Sequence, residues 1–545
     1  MRTVGWISWA LLILAMAGMG ACAGDESSSP PQVTTAETAL GVAHGTVTTQ
    51  GVVAFLGLPF AEPPIGNLRF RPPIAIDSWG DPIDASAFGP ACPQPVDPGQ
   101  ILYQNQSEDC LTLNVWTPSA DDGKRPVMVW VHGGGWIYEG TEDPLYDGAK
   151  LAARGDLVVV SMEYRLGVFG FSHFEEIEGS GNAGLLDQKL ALQWVQDHIA
   201  EFGGDPDNVT LFGESAGAMS VTALMAMPSA EGLFHKAIAQ SGAGGTAREA
   251  AYATAVSEKL LASAGVTGVD ELVDLSTAEV LAAQDLLIED AFLSDLLFGT
   301  VVDGDVVPEP PIHAIAEGSA SNVPLLTGTT KDETRLWIVY VDLLAKIPLD
   351  VVLTFIPSGA RAIPEGKRVD DVIALYESNR PGATPGMITH AAGTDIFFRL
   401  PAIRLVEAQR THQPNNVFVY RFDWPPPAPA YPQYDLGSPH GTDLAFTFGT
   451  PEGWIEIYGT NGIPEQLRDQ VMDAWIAFAN TGNPNHPNMP VWPAYDLGDR
   501  PTMIFDAAQS SSLAEVVDDP AADERAFWDG VPFDGVVPTS KPNDL

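Results

Sequence analysis

Three short apolar runs and two helical patterns decide the fold class of this chain. Residues 127–131 (Val-Met-Val-Trp-Val) and 157–161 (Leu-Val-Val-Val-Ser) are β-branched runs without polar alternation. They read as strands buried on both faces. Residues 209–212 (Val-Thr-Leu-Phe) predict another. Over 185–202 the residues Leu186, Leu190, Trp194 and Ile199 fall near one helical face, and 216–227 continues as a second helix. Strands alternating with helices predict an α/β fold with a mostly parallel central sheet flanked by helices. No repeat and no low-complexity linker breaks the pattern from about residue 40 onward, so one large domain over 39–540 is expected. The Pro-rich stretch 425–432 predicts a stiff loop, a surface connection in preference to the wall of a cleft.

The first residues break this pattern. Arg2 precedes an apolar run over 6–17 and the small residues Gly18, Gly20 and Ala21. This is the layout of a secretory signal, 1–21, and it is too short to span a membrane comfortably. Cys22 follows at once, ahead of an acidic Ser/Pro-rich stretch. The segment resembles a bacterial lipoprotein signal, in which the cysteine is acylated and becomes the new first residue; plain secretion is the alternative. Residues 22–38 are then a flexible tether, and the protein is expected in the cell envelope or outside the cell.

Composition narrows the classes. The 545 residues include 71 acidic and 27 basic side chains, a formal charge of −44, with 45% hydrophobic and 9% aromatic residues. That is ample for a large core and excludes a disordered or fibrous chain. So negative a chain repels phosphate, which excludes nucleic acid as a partner. Only nine of the basic residues are Lys. An acid-rich, Lys-poor surface suits either high salt or a generally acidic secreted protein. With Cys22 set aside, Cys92 and Cys110 form an even pair, and in an oxidising compartment a bridge between them is expected. Closing that loop is worth about 3 kcal/mol in the chain-entropy view.

Two glycine patterns carry the chemistry. Residues 213–217 (Gly-Glu-Ser-Ala-Gly) read G-x-S-x-G between the 209–212 strand and the 216–227 helix. A serine on so tight a strand-to-helix turn needs glycine on both sides. The turn raises the Ser215 hydroxyl at a helix N-terminus, where free N–H groups favour a developing anion. Upstream, His132 is followed by Gly133, Gly134, Gly135 and Trp136, straight after the 127–131 strand. Bare backbone there can present N–H donors to an oxyanion. The expected donors are Gly134, Gly135 and Ala216, with His132 as a structural neighbour.

At this point the sequence resembles the type-B carboxylesterases, the cholinesterase-like branch of the α/β-hydrolases. The resemblance rests on 212–217 (Phe-Gly-Glu-Ser-Ala-Gly) and 108–115 (Glu-Asp-Cys-Leu-Thr-Leu-Asn-Val), and on blocks at 164–171, 181–188, 202–206, 240–242, 301–304 and 481–484. It covers about 40 to 500 and implies large cholinesterase-like insertions. It also supplies the remaining members of a triad: Glu333 in the block 328–333, and His440 ahead of 446–449. The chain order Ser, Glu, His suits an α/β-hydrolase. Without the resemblance, His173 and His390 would be open, and Asp332 and Asp443 are rival acids.

What it implies is a serine carboxylesterase acting on small uncharged short- to medium-chain or aryl esters, with no metal or organic cofactor. Alternatives are a lipase, amidase or lactonase on the same triad, or a non-catalytic surface binding module. Glu214 and Ser241 are expected beside the triad; Trp136, Phe397 and Phe398 are candidates for the substrate pocket. Arg69 with Glu108, and Arg165 with Asp187, are implied as ion pairs that hold the fold. Two departures stand out. The 92–110 loop holds Tyr103 but no Trp to grip a quaternary ammonium, which argues against acetylcholine. Glu163 stands where Asn is expected.

Overall fold

The computed structural model describes residues 32–95, 102–244, 247–290, 297–339, 363–506 and 513–531, with the backbone of 536–537. The expected leader, Cys22 and the first part of the tether lie outside these residues. Eleven strands form one sheet: β1 (Thr46–Val47), β2 (Val53–Pro59), β3 (Thr112–Thr117), β4 (Arg125–Val131), β5 (Val158–Met162), β6 (Gly204–Glu214), β7 (Lys236–Gln240), β8 (Leu325–Thr330), β9 (Val417–Phe422), β10 (Pro501–Phe505) and β11 (Ala514–Asp518). Their spatial order is β11-β10-β9-β8-β7-β6-β4-β5-β3-β2-β1. The seven strands from β10 to β5 pair in parallel, and the flanking pairs are antiparallel.

Pleating explains why the β4 run carries no polar residue. Val127, Val129 and Val131 join the core on one face of the sheet, and Met128 and Trp130 join the core on the other. All five are fully buried. The helix expected over 185–202 is α1 (Ala183–His198) with a further tight turn over Ile199–Phe202. Of the expected stripe, Trp194 and Ile199 are buried in the core. Leu185, Gln188, Leu192 and Val195 face the core, while Leu186 and Leu190 are half-buried at its flank. The helix after the serine is α2 (Ala216–Ala226).

The last residues of the expected tether, 35–38, form a strand. Thr35–Thr38 pairs antiparallel with Gly41–His44, Ala36 is buried in the core, and Thr38 Oγ1 accepts from the Leu40 N–H. The polar composition of 35–38 hid this strand. The Pro-rich stretch after β9 is irregular and mostly exposed, a surface connection as expected, and it is pinned at one point. Ala428 is buried, and its N–H donates to Ile457 O at 2.7 Å.

Parallel pairing gives the sheet one C-terminal edge. The segments that leave β4, β6, β7 and β8 carry His132 to Trp136, Ser215, Ser241 and Glu333, so the candidate residues gather there.

Candidate active site

Ser215 sits between β6 and α2 with φ 54° and ψ −124°, a conformation an L-residue adopts only under constraint. Backbone crowding explains both flanking glycines. A Cβ on Gly213 would lie 2.6 Å from Gly217 C, and one on Gly217 would lie 2.1 Å from Val131 O. The Ser215 N–H donates to Gln240 O at 3.0 Å, which locks the turn onto β7. Ser241, at the end of β7, is also at positive φ and donates its N–H to Gly328 O at 2.9 Å.

The glycine segment abuts this turn. A Cβ on Gly133 would fall 3.1 Å from Glu214 Oε2 and 3.3 Å from Ser215 Cβ. Gly134, Gly135 and Trp136 follow at φ 79°, 63° and 60°. Glycine tolerates that region freely and tryptophan does not.

Across the site, His440 Nδ1 and Glu333 Oε2 lie 2.6 Å apart, and both side chains are buried. The other Glu333 oxygen, Oε1, accepts from the Thr330 N–H at 2.7 Å, and the His440 N–H donates to Glu333 O at 3.2 Å. His440 Nε2 is 3.1 Å from Glu214 Oε1, off the line of a hydrogen bond. Neither Nε2 nor Ser215 Oγ takes part in a hydrogen bond with a described residue. Two rings clasp the imidazole: Trp337 at 5.2 Å, one turn beyond Glu333, and Phe398 at 4.9 Å. Sequence reasoning missed Trp337; its spacing of four from Glu333 on Glu333–Val339 was the available signal.

The electrostatics follow from burial among carboxylates. Desolvation alone would lower the His440 pKa, but Glu214 and Glu333 outweigh it and raise it to about 9. Burial pushes Glu214 well above the usual carboxylate range, helped by Asp443, Glu139 and Glu333. Glu139 is a further carboxyl that sequence reasoning missed. It accepts from Tyr146 OH at 2.6 Å, and burial raises it to about 7.

The rival residues lie elsewhere. Asp332 pairs with Arg335 and accepts from the Ser438 N–H. Asp443 accepts from Gln240 Nε2 at 2.9 Å and Tyr420 OH at 2.6 Å. His390 Nδ1 meets Thr334 Oγ1, and the His173 ring lies against Gly181. His132 is fully buried and stacks on Tyr164 at 4.4 Å. Burial lowers its pKa to about 3, so it stays neutral. The pocket candidates divide. Phe398 faces His440, whereas Phe397 packs against a separate small core of Val372, Tyr376 and Ile388. Trp136 is 1% exposed and packs on Phe171 and Arg248, so it is a core anchor and not a wall open to substrate.

The supporting contacts are in place. Cys92 and Cys110 are bridged. Arg69 binds Glu108 through Nε and Nη2 at 2.8 and 2.6 Å, and Arg165 binds Asp187 likewise. Tyr103 OH donates to Asp143 at 2.8 Å, and Gln94 exchanges two hydrogen bonds with the Glu139 backbone. The disulfide loop is thereby tied to the segment that follows the glycines.

Glu163 also acquires a role. Its Oε1 accepts from Thr141 N and Thr141 Oγ1 at 2.6 and 2.8 Å, while Oε2 is buried without a partner. Burial raises its pKa from 4.5 to about 7. A folded-state carboxyl raised in this way contributes stability below pH 4.5, and that contribution is lost as pH climbs to 7; the full loss is about 3 kcal/mol. Glu163→Gln keeps the acceptor for Thr141 and removes the charge. The variant is expected to melt lower than wild type at pH 5, because its NH2 lacks an acceptor. At pH 8 it should melt higher, by the equivalent of about 1 kcal/mol. Parallel melting curves across pH that never cross would refute this account.

Comparisons with known proteins agree with the fold and extend it. The carboxylesterase family model matches residues 29–528. A para-nitrobenzyl esterase of Bacillus subtilis is 40% identical over 499 residues, covering 90% of this chain and 97% of the relative. A phenmedipham hydrolase of Pseudarthrobacter oxydans is 33% identical over 473 residues, 83% and 91% of the two chains. Among solved structures, a carboxylesterase of Geobacillus stearothermophilus superposes with a TM-score of 0.80 at 35% identity, over 91% of this chain and all of that one. With a match of this length over an α/β-hydrolase sheet, the chain belongs to the carboxylesterase family and is a carboxylic ester hydrolase.

Proposed function

We propose that this protein is a serine carboxylesterase in which Ser215 is the nucleophile, His440 the general base and Glu333 its orienting acid. The supporting observation is the 2.6 Å contact of His440 Nδ1 with Glu333 Oε2 beside a serine held at positive φ. His440 Nε2 takes the Ser215 proton as Oγ attacks the ester carbonyl. Glu333 keeps the Nδ1–H tautomer and stabilises the imidazolium. The oxyanion is received by the N–H groups of Gly134, Gly135 and Ala216. His440 then protonates the leaving alcohol, and water cleaves the acyl-enzyme by the same steps.

The substrate class is uncharged short- to medium-chain or aryl esters. The aromatic pair Trp337 and Phe398 beside His440 favours an apolar group there. A relative that is a para-nitrobenzyl esterase agrees with an aryl-tolerant site.

The test combines p-nitrophenyl acetate, butyrate, octanoate and palmitate with a fluorophosphonate inhibitor. Turnover of the shorter esters should be lost in proportion to a single adduct on the peptide that contains Ser215. An active enzyme that carries the adduct elsewhere, or resists the inhibitor, would overturn the assignment. The proposed export signal has its own test. Full-length protein expressed in a bacterium should move from the membrane to the soluble fraction on Cys22→Ala, and an unchanged distribution would count against acylation.

A further inference from the structure

The glycine segment faces a mechanical problem. Gly134, Gly135 and Trp136 are consecutive residues at positive φ, and tryptophan gains nothing from that conformation. Something must hold it. The Ile137 and Tyr138 N–H groups both donate to Gly134 O, at 3.0 and 2.9 Å, but these bonds close the turn without fixing where it sits.

The indole of Trp136 fixes it. The ring is buried, with the Arg248 guanidinium 5.2 Å from its centroid. Its Nε1–H donates to Ser220 Oγ at 3.0 Å. Ser220 is fully buried on α2, the helix whose first residue, Ala216, supplies the other proposed oxyanion donor. Ser220 Oγ also accepts from Gln188 Nε2 on α1 at 3.2 Å. One oxygen therefore joins the glycine segment, the nucleophile helix and the helix before it.

A second contact point makes this a lock. Gly217 already lies against Val131 O and His132 O, where a Cβ would sit at 2.1 and 2.8 Å. That contact sets the distance between α2 and the end of β4. Gly133 abuts Glu214 and Ser215, and Tyr164 OH donates to His132 O at 2.9 Å, so the start of the glycine segment is held while the part beyond it is not. The Trp136–Ser220 bond, one turn further along α2, fixes that part.

We propose that Ser220 is a positioning residue that holds the N–H groups of Gly134 and Gly135 at a fixed spacing from that of Ala216, acting through Trp136. The proposal rests on the oxyanion assignment given above. Its effect belongs to the transition state, because only the tetrahedral oxyanion needs donors from both elements at once.

Two variants test it. Ser220→Ala removes the shared acceptor. Trp136→Phe removes the donor from the other side of the bond and also part of the buried ring, so Ser220→Ala, the smaller change in volume, guards against misfolding of the second variant. Each is expected to lower kcat for p-nitrophenyl butyrate about 5- to 20-fold with KM within two-fold, less than the loss of a whole donor. Each should weaken phenylboronic acid, whose adduct with the serine is tetrahedral, by the same factor. The double variant should be no worse in kcat than the weaker of the two single variants, because the Trp136–Ser220 bond that both changes break can be lost only once. A fall in melting temperature with kcat and boronate affinity within two-fold of wild type would overturn the lock, as would losses that multiply in the double variant. A wild type whose turnover survives Ser215→Ala would overturn the proposed function, and the lock with it.

Discussion

Glu333→Gln is expected to lower kcat on short-chain p-nitrophenyl esters by about 10³- to 10⁴-fold, with KM little changed. The size follows from which end of the amide must face the histidine. Glu333 Oε1 accepts from the Thr330 N–H at 2.7 Å, and only the amide oxygen of Gln can keep that bond. Its NH2 is then turned toward His440 Nδ1, where the carboxylate stood 2.6 Å away. A donor there forces Nδ1 to accept, and the imidazole proton moves to Nε2. The nitrogen that should receive the Ser215 proton is thereby blocked. The imidazolium also loses its counter-charge. Asp332→Asn, which leaves His440 untouched, should keep most of the activity. A loss under ten-fold for Glu333→Gln, or a comparable loss for Asp332→Asn, would mean that the acid has been misplaced.

The sequence made the local half of this site legible. A glycine pair around a serine can be read as a crowded turn, because the crowding comes from neighbours in the chain and from one adjacent strand. The contacts around Gly213 and Gly217 are of that kind. The unbroken apolar run 127–131 of β4 was equally readable, since both faces of the strand are buried there and each of those residues had to be apolar. The triad partners were not legible from pattern alone. Glu333 and His440 are 107 residues apart and meet only because β8 and β9 are parallel neighbours that end on one edge. Only the family resemblance could choose among ten histidines.

Other features left no local signal. Glu139, an acid in a loop, reads as solvent-exposed until Tyr146 and the glycine segment close around it. Trp136 reads as a pocket residue because it follows the glycines. Positive φ instead turns its ring inward to Ser220. Glu163 stands where the resemblance led to Asn, and it is an acceptor for Thr141. In each case the deciding partner lies on another element, and the residue's own neighbours in sequence say nothing about it.

The crowd of carboxyls around His440 has a consequence that can be read from a pH profile. Glu214→Gln is expected to move the acid limb of kcat/KM down by at least one pH unit. His440 must be neutral at Nε2 to act as base, so activity rises with pH as its proton leaves. Glu214 and Glu333 hold that proton on, and the pKa is raised to about 9. Glu214 is itself pushed well above the ordinary carboxylate range by burial, so the two groups share protons and titrate as a pair. Removing the Glu214 charge while keeping its shape leaves Glu333, with a smaller contribution from Asp443, against the desolvation that lowers the imidazole. The His440 pKa must then fall, and the base becomes available in more acidic solution. Fractional activity at pH 6, relative to each enzyme's own plateau, should rise about ten-fold or more, the factor that one pH unit implies. The plateau itself should drop, because Glu214 also stabilises the imidazolium formed as Ser215 attacks. Rates of p-nitrophenyl butyrate hydrolysis from pH 5 to 10, followed at the isosbestic wavelength of p-nitrophenol, separate the two effects. An acid limb that stays in place while the plateau falls would show that Glu214 shapes the turn and has no hold on the proton of His440.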